Sequence, residues 1–384
     1  MRLSLLAIAL PLILALLGGC SGLSTGRESS IPTQSTEAPG GFGFLVVGDT
    51  GYVPDEPGKS GLVPVAEAMR EYCRGADCRF GLMAGDNIYP DGAAGDAGDA
   101  ERFRTRFTEP FAGFADLQSG FRFYVALGNH DWRTSRAGAL AEVRFLERNP
   151  PFHMNGLFYS VRPPGLGDQV EIFVIDTEML LAPLMLPEMD DRADGTMEAT
   201  GEMEAGGGRN ALPASAAERD QLGWLEQALA RSTAKWKLVM GHHPLWQSRA
   251  DVKYEQSIAL RNLLLPMLCR YADAYFAGHQ HTLEVAADSC TGDDGHAATI
   301  PLPNIVSGAG SKAREIDALF RSWQQKTWSQ LRSLWADGDQ WGFSHVTLQD
   351  DRMVVRMLAV DRNGTVMEAF RHSFADRADP RDDP

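Results

Sequence analysis

Basic residues are few for a chain of this length. The 384 residues include 36 Lys and Arg against 51 Asp and Glu, which gives a formal net charge of −15. A protein that grips a nucleic-acid backbone over a broad face needs clustered positive charge, so this balance argues against nucleic acid as a partner. It does not exclude small anionic substrates, because a bound metal ion can reverse the local field.

The N-terminus lacks an apolar run long enough for a typical transmembrane helix. The stretch LSLLAIALPLILALL follows Arg2, and residues 1–19 are predicted to be a signal peptide. The sequence LGGC resembles a bacterial lipobox, which would make Cys20 the acylated first residue of the mature chain. An ordinary secretory signal cut nearby is the alternative. Ser21 follows, with no Asp to retain the protein at the inner membrane, so we expect an outer-membrane lipoprotein facing the periplasm or the cell surface.

The residues after the signal peptide divide into a tether, one domain and a tail. Residues 20–41 are polar and cannot form a core, which predicts a flexible tether. Residues 42–375 are predicted to form the folded domain, and residues 376–384 a polar tail.

Cysteine is also scarce. Apart from Cys20, the sequence contains Cys73, Cys78, Cys269 and Cys290. An exported compartment permits disulfides, and three pairings of these four residues are possible. The pairing of Cys73 with Cys78 and of Cys269 with Cys290 is favoured because each pair brackets a short loop. A cysteine metal site fits less well, since these spacings do not match zinc knuckles.

Glycine and proline are plentiful, at 39 and 21 residues, which predicts many loops and few long helices. Strand-like apolar runs are mixed with helical patterns, and this mixture predicts an α/β architecture. Residues 215–232 have the pattern of one amphipathic helix, in which Ser215 and Glu218 match a capping box. The acidic, Met-rich and Gly-rich stretch of about residues 180–213 is interpreted as a flexible surface insertion. A substrate-covering flap or a soft-metal site through Met are the alternatives.

Five polar clusters each follow an apolar strand, and in each a Gly precedes the first candidate ligand. Strand ends direct side chains toward a common rim, and glycines let the chain turn sharply there. Carboxylates, imidazoles and an amide oxygen form a ligand set that suits iron, zinc or manganese better than calcium or magnesium. One cluster alone is weak evidence, but five in this order predict a metal centre. The clusters are GDTG with Asp49, GDNIY with Asp86 and Tyr89, GNHD with Asn129, His130 and Asp131, GHHP with His242 and His243, and GHQH with His279 and His281.

The order of these five motifs along the chain resembles that of the calcineurin-like metallophosphoesterase superfamily. The Tyr three residues after Asp86 is similar to that of small, tartrate-resistant-type purple acid phosphatases. The resemblance covers about residues 43–347 apart from the insertion. It implies a four-layer α/β/β/α sandwich of two mixed sheets flanked by helices, with the metal site at the carboxyl ends of strands. The segments that carry it are GDTGY, GDNIY, GNHDW, QLGWLEQAL, GHHPLW, GHQHTLE and VSGAGSK.

The resemblance implies a dinuclear centre of Fe(III) and a divalent ion, which would be iron, zinc or manganese. Asp86 would bridge the two ions. Such a pair clamps a phosphate and activates water, so that a metal-bound hydroxide attacks phosphorus. By their positions in the motifs, the ferric ligands would be Asp49, Tyr89 and His281, and the divalent ligands would be Asn129, His242 and His279.

The same resemblance implies substrate roles beside the metals. His130 would face the substrate, where it would bind phosphate or help to protonate the leaving group. Asn129 would contact the substrate as well. Asp131 is expected to support His130 through a hydrogen bond.

One departure leaves the leaving-group acid open. Small purple phosphatases carry an acid–His pair several residues after the GHxP block, whereas this sequence has Ala250 and Asp251 there. His243 and Asp251 are candidates to substitute for that His. His243 is also a candidate substrate ligand, and a packed structural role is its alternative. His153 and His345 match no motif, so we expect solvated or core positions for them.

These observations predict an exported, lipid-anchored acid phosphatase that hydrolyses phosphate monoesters. Small phosphate esters, phosphoproteins or nucleotides are the candidate substrates, the lipid anchor is the expected membrane contact, and the oligomeric state is left open. A phosphodiesterase or nucleotide hydrolase on the same metal pair is the nearest alternative. A redox protein using an Fe(III)/Fe(II) pair is a second class, but nothing in the sequence points to a redox partner. A non-catalytic surface-binding lipoprotein is a third, and it is disfavoured because no metal-ligand position is missing.

Overall fold

The computed structural model describes residues 41–54, 56, 58–250, 253–291 and 300–377. Several sequence predictions therefore fall outside the described residues. They are the signal peptide, the acylated Cys20, the tether up to residue 40, the candidate acid Asp251 and residues 378–384 of the tail.

Strands form where the sequence has short apolar runs, as the pattern predicted. β1 is buried at all six positions, as expected for a strand covered on both faces. In chain order the strands are β1 (Phe42–Val47), β2 (Gly81–Ala84), β3 (Phe123–Ala126), β4 (Phe152–His153), β5 (Tyr159–Val161), β6 (Val170–Val174), β7 (Met185–Asp191), β8 (Met197–Ala205), β9 (Trp236–Met240), β10 (Ala274–Ala277), β11 (Leu283–Asp288), β12 (Leu302–Ser307), β13 (Leu331–Asp337), β14 (Trp341–Leu348), β15 (Arg352–Val360) and β16 (Val366–Ala375).

Helices connect many of these strands, and most are short. The longest, α7, has 18 residues and contains an internal Pro. Among the described residues, no helix combines the length and the apolar character that crossing a bilayer requires. In chain order the helices are α1 (Leu62–Gly75), α2 (Asp99–Phe103), α3 (Arg136–Arg148), α4 (Thr177–Leu181), α5 (Ala216–Arg219), α6 (Gln221–Arg231), α7 (Tyr254–Tyr271) and α8 (Ala318–Thr327).

Two seven-stranded sheets organise the chain, and both are mixed. The first has the order β16-β15-β14-β1-β2-β3-β4, in which β1 to β4 are parallel and β14 to β16 are antiparallel. The second has the order β13-β11-β12-β10-β9-β6-β5, in which β6, β9, β10 and β12 are parallel. Parallel neighbours end at the same edge of a sheet, so each sheet brings several strand ends together.

The two sheets pack together through an aromatic core. Phe44 of β1 stacks on Phe80 with ring centroids 4.7 Å apart, and it meets Phe276 of β10 edge-on at 5.8 Å. Helices α6 and α7 cover the second sheet through residues such as Leu225 and Leu264. Helix α1 contacts β14 and β15 of the first sheet. The prediction of an α/β fold with two mixed sheets flanked by helices is confirmed.

The prediction of one continuous helix over residues 215–232 is wrong. The structure has two helices there, α5 and α6, which are separated at Asp220. Ser215 caps α5, because its Oγ accepts a hydrogen bond from the Glu218 amide at 3.2 Å. The Glu218 carboxylate accepts from the Ala214 amide and binds Arg136 instead of returning to Ser215. Tertiary contacts of Glu218 therefore replace the second half of the expected capping box.

The predicted surface insertion contains regular structure. Its residues begin inside α4 and then form the antiparallel hairpin β7–β8. Met185 and Met203 are more than half exposed, whereas Met197 is buried against Tyr254 and Phe320. Some methionines of the hairpin are therefore exposed to solvent, and others pack against the domain. The hairpin is an ordered part of the domain surface.

The structure contains the local pair of disulfides, Cys73–Cys78 and Cys269–Cys290. Arg377 donates a hydrogen bond to the Cys269 carbonyl beside the second bond. Asp376 and Arg377, which the sequence placed in the tail, are therefore attached to the domain.

Replacement of Phe44 by Ala tests the contact between the sheets. The side chain is fully buried between Phe80 and Phe276, so its loss is expected to cost about 3–5 kcal/mol of unfolding free energy. Urea unfolding at fixed metal content measures the change. Val63→Ala, at an α1 position that is 50% exposed, is the control and is expected to change stability by less than about 0.5 kcal/mol. A Phe44→Ala loss as small as that of the control would contradict this description of the core.

Candidate metal centre

The predicted ligands lie at the carboxyl ends of five parallel strands. Asp49, Asp86 and Asn129 follow β1, β2 and β3, which are neighbours in the first sheet. His242 and His279 follow β9 and β10, which are neighbours in the second sheet. Because the two sheets face each other, these strand ends meet at one site. The structure brings all seven predicted metal ligands together there.

One half of the site forms around the phenol oxygen of Tyr89. This oxygen lies 2.9 Å from Asp49 Oδ1, 2.6 Å from Asp86 Oδ2 and 2.9 Å from His281 Nε2. His281 Nε2 is in turn 3.3 Å from Asp49 Oδ1. These are the four side chains expected around the ferric position.

The other half of the site groups three nitrogen and oxygen donors. Asn129 Oδ1 lies 3.2 Å from His242 Nε2 and 3.1 Å from His279 Nδ1, and the two ring nitrogens are 3.2 Å apart. Asp86 joins this group through its other oxygen, because Oδ1 lies 3.4 Å from His242 Nε2. Asp86 therefore faces both halves of the site, which is the geometry of a bridging carboxylate.

Unusual backbone conformations aim the ligands. Asp49, Asp86, His279 and His281 all have positive φ, at 57°, 54°, 72° and 57°. A non-glycine residue held in this left-handed region costs on the order of 1–3 kcal/mol, and such residues concentrate at functional sites. A Cβ on Gly128 would lie 2.3 Å from Asp86 Oδ1, so only glycine fits at that position beside the ligand.

The electrostatics of the site favour bound positive charge. Burial, and then the charges of Asp49 and Asp86, raise the pKa of the Tyr89 phenol well above its ordinary value. Burial alone would raise the pKa of Asp86, but the His242 charge and hydrogen bond hold it well below its usual range. Burial would lower the pKa of His242, whereas Asp86 raises it to about 10. The carboxylates therefore draw a cation into this buried site.

The donor set fits a pair of metal ions. Oxygen and imidazole donors from all seven side chains approach within 2.6–3.4 Å of a neighbouring donor, and Asp49, Asp86 and His242 are fully or almost fully buried. His242 Nδ1 lies 2.7 Å from the Ala84 carbonyl, and this bond sets the tautomer that leaves Nε2 toward the site. A set of carboxylate, phenol, amide and imidazole donors suits iron, zinc or manganese.

His130 lies at the edge of the centre, beside Asp86 and Tyr89. Its amide donates to Asp86 Oδ1 at 2.9 Å, and its ring Nδ1 contacts the Pro90 carbonyl. The Nε2 atom is 3.9 Å from Asp86 Oδ2, and the side chain keeps 16% exposure. The ring centroid lies 4.1 Å from that of Tyr89. The ring nitrogen that remains available therefore points into the site.

The prediction that Asp131 forms a hydrogen bond with His130 is wrong. The Asp131 carboxylate is fully buried and accepts from the amides of Asn87, Ile88 and Gly128 at 2.8–3.2 Å. Burial raises its pKa to about 7. Asp131 thus fixes the loop that carries Asp86, because its carboxylate binds the amides of the next two residues of that loop, Asn87 and Ile88.

His243 lies behind the metal ligands. Its Nδ1 is 2.8 Å from Thr177 Oγ1, its Nε2 is 3.6 Å from Glu178 Oε2, and its ring centroid is 4.4 Å from that of His279. The side chain is buried yet reaches the wall of the cavity over the centre. The structure thus confirms a packed ring, and the substrate contact of His243 stays a prediction.

His153 and His345, which match no motif, lie away from the centre. His345 is buried and its Nε2 contacts the Asp77 carbonyl at 2.9 Å. Burial lowers its pKa to about 4. His153 packs between Tyr124 and Tyr159. Neither lines the cavity over the metal centre.

Sequence reasoning gave no role to the cations around the centre. Lys312 Nζ lies 4.5 Å from the ring centroid of Tyr89, and Arg133 and Arg209 line the cavity. Arg133 directly follows the GNHDW motif, and Lys312 is the last residue of the VSGAGSK segment. Their positions next to or within these motifs are the sequence signal that could have identified them. Arg209 belongs to the insertion, and no local pattern marks it.

Comparisons with known proteins agree with this geometry. The sequence profile of the calcineurin-like phosphoesterases matches residues 42–283. Tartrate-resistant acid phosphatase type 5 of Mus musculus is 28% identical over 343 residues, which cover 88% of this chain and 91% of that protein.

Solved structures share the fold at low sequence identity. GAP50, the anchor in the inner membrane complex of Plasmodium, superposes with a TM-score of 0.62 at 15% identity, covering 89% of this chain and 90% of that one. The purple acid phosphatase PPD1 of yellow lupin (Lupinus luteus) gives a TM-score of 0.56 at 16% identity, covering 91% of this chain and 55% of that one.

The profile match spans more than half of the chain, and the matched residues include Asp49, Asp86 and His242, which lie close enough together to hold a metal ion. Proteins of this kind use a dinuclear metal centre. The chain belongs to the calcineurin-like phosphoesterase family, as a hydrolase related to the purple, tartrate-resistant acid phosphatases.

Proposed function

We propose that this hydrolase is an acid phosphatase that cleaves phosphate monoesters on a centre of Fe(III) and one divalent ion, which is iron, zinc or manganese. The observation that carries the proposal is the position of Asp86, whose two oxygens face two separate groups of donors. Such a carboxylate would hold two metal ions, and the pair would supply the charge that binds one phosphate. The named acid phosphatase relatives support the monoester as substrate.

Each half of the site suits a different ion. The phenol and carboxylate around Tyr89 suit a hard, highly charged ion, because only a strong Lewis acid holds a phenolate near neutral pH. The amide and imidazole donors around Asn129 suit a divalent ion. When bound, the metal pair supplies the positive charge that stabilises the transition state and acidifies water for attack on phosphorus.

His130 is the side chain best placed to act on the ester. Its Nδ1 lies against the Pro90 carbonyl and its Nε2 faces the centre, so the doubly protonated ring can bind a phosphate oxygen or give its Nε2 proton to the departing alkoxide. Ala250 cannot replace the missing second His. His130 and His243 are therefore the ring donors that this site offers beyond the metal ligands, within the described part of the chain.

We also propose that the enzyme is exported and attached to the outer membrane through Cys20, where it meets small phosphate esters or phosphoproteins. The LGGC segment supports the anchor. The disulfides Cys73–Cys78 and Cys269–Cys290 support an oxidising compartment.

Replacement of Tyr89 by Phe tests the ferric site. The variant keeps the ring but loses the phenol oxygen, so it is expected to lose the visible charge-transfer band and to retain iron about tenfold less tightly or worse. Absorption spectra and metal analysis of the purified protein measure both effects. Tyr52→Phe, whose ring lies 6.3 Å from that of Tyr89, is the matched control and should keep its colour. A coloured Tyr89→Phe protein would show that this oxygen is not a ligand.

Replacement of Asp86 by Ala tests the bridge. The two halves of the site then lose their shared ligand, so hydrolysis of p-nitrophenyl phosphate is expected to fall roughly 10³-fold or more. The exposed Asp91 on the same loop provides the control, because Asp91→Ala removes a carboxylate without touching the centre.

A separate assay of the wild-type protein on p-nitrophenyl phosphate and on bis(p-nitrophenyl) phosphate distinguishes a monoesterase from a diesterase. A strong preference for that diester would overturn the monoesterase proposal.

Replacement of Cys20 by Ser tests the anchor. In a Gram-negative host grown with an alkyne fatty acid, the wild-type protein is expected to carry the label and to sediment with membranes. The Cys20→Ser protein should lose both properties, and Ser21→Ala should keep them. Labelling that persists in the Cys20→Ser protein would contradict the proposed lipidation site.

A further inference from the structure

A cavity of about 510 Å³ opens over the metal centre. Asn129, His130 and His279 line it on the metal side. Its volume falls in the range of about 300–1,000 Å³ that is typical of pockets for whole small molecules. The cavity therefore has room for a leaving group as well as for the phosphate that reacts.

The insertion builds one wall of this cavity and is tied down on several sides. Asn210 Nδ2 donates to the carbonyls of Trp132 and Arg133, both at 3.0 Å. The Gly208 amide donates to Glu178 Oε1, and Gln256 donates to the carbonyl of Gly206 next to the hairpin. These bonds fix the insertion against the loop that carries His130. They bring Arg209, which precedes Asn210, beside Arg133 on the same wall.

This wall carries positive charge, whereas the protein as a whole is negatively charged. Arg133 and Arg209 both line the cavity and are exposed, in a chain with a net charge of −15. Neither guanidinium forms an ion pair with a carboxylate among the described residues. The carboxylates that line the cavity are buried and already engaged, because Asp86 belongs to the metal centre and Glu178 binds the Gly208 amide.

A neighbouring cleft has a different charge pattern. It measures about 700 Å³ and shares His281 and Arg314 with the first cavity. Its lining combines four cations with two carboxylates, which are Lys59, Lys312, Arg314 and Arg362 with Asp339 and Asp361. Its charge is therefore mixed.

In the cavity over the metal centre, Lys253 is paired with Glu204 and Arg314 also lines the neighbouring cleft. Arg133 and Arg209 are the cations on the wall that the insertion builds.

We propose that Arg133 and Arg209 form a second anion subsite, which binds a second phosphate group carried by the leaving group of the substrate. The inference rests on the proposed phosphatase function, because the metal centre holds the phosphate that is cleaved. Guanidinium groups bind phosphate oxygens in pairs, with more directional contacts than a single ammonium makes. The preferred substrates are then small bisphosphorylated compounds, and water cleaves the P–O bond at the metal-bound end.

A matched pair of substrates tests the subsite. 1,3-Propanediol bisphosphate has two equivalent ends and differs from 3-hydroxypropyl phosphate only by the second phosphate. For the metal-loaded full-length chain, we expect kcat/KM to be at least about tenfold higher for the bisphosphate, well beyond the factor of two for equivalent ends. Raising the salt concentration should shrink this preference, because exposed charges are screened.

Charge-removing variants locate the effect. Arg133→Gln combined with Arg209→Gln is expected to lower kcat/KM for the bisphosphate about tenfold, mainly through KM, and to change 3-hydroxypropyl phosphate less than about twofold. Arg219→Gln is the matched control, because it removes an exposed guanidinium of α5 that does not line the cavity. It should leave both substrates unchanged.

The outcomes separate this inference from the function on which it rests. Hydrolysis of both substrates with equal efficiency by the wild-type protein would overturn the subsite and leave the phosphatase intact. An equal loss on both substrates in the double variant would also overturn it, since the arginines would then serve the reacting phosphate. Hydrolysis of neither substrate by the metal-loaded protein would overturn the phosphatase and the subsite together.

Discussion

The site depends on one buried carboxylate that faces two groups of donors at once. Asp86 approaches the phenol of Tyr89 with one oxygen and the imidazole of His242 with the other. Crowded, buried oxygen and nitrogen donors are unfavourable unless positive charge lies among them. A proton on His242, whose pKa is raised to about 10, meets part of that need, and metal ions compete with it for the same place. A pair of metal ions, which is what the family uses, would supply the rest of that positive charge.

The fold is what makes such crowding possible. Two parallel-stranded regions from different sheets end at one point, held together by the core around Phe44 and Phe276. That rigid frame supports ligands such as Asp49 and His281 in left-handed backbone conformations, which an isolated loop would not keep. The strain is compensated by packing elsewhere in the domain.

The strands and the ligand positions could be predicted because their signals are local. Each apolar run, its Gly and its polar residues lie within a few positions of one another, as in GDNIY around Asp86. The errors concern partners far away in the chain. Asp131 binds amides around Asn87 instead of His130, and Glu218 binds Arg136 across 82 residues. The cavity wall that carries Arg209 depends on the same kind of distant contact, and no periodicity or motif encodes it.

Anomalous X-ray diffraction from crystals of the purified, metal-loaded protein, recorded at the iron, zinc and manganese edges, tests the Asp86 bridge most directly. We expect two anomalous peaks per chain, about 3.5–4 Å apart, with Asp86 between them and an iron peak next to Tyr89. A single peak, or a pair of peaks that Asp86 does not connect, would contradict the bridge.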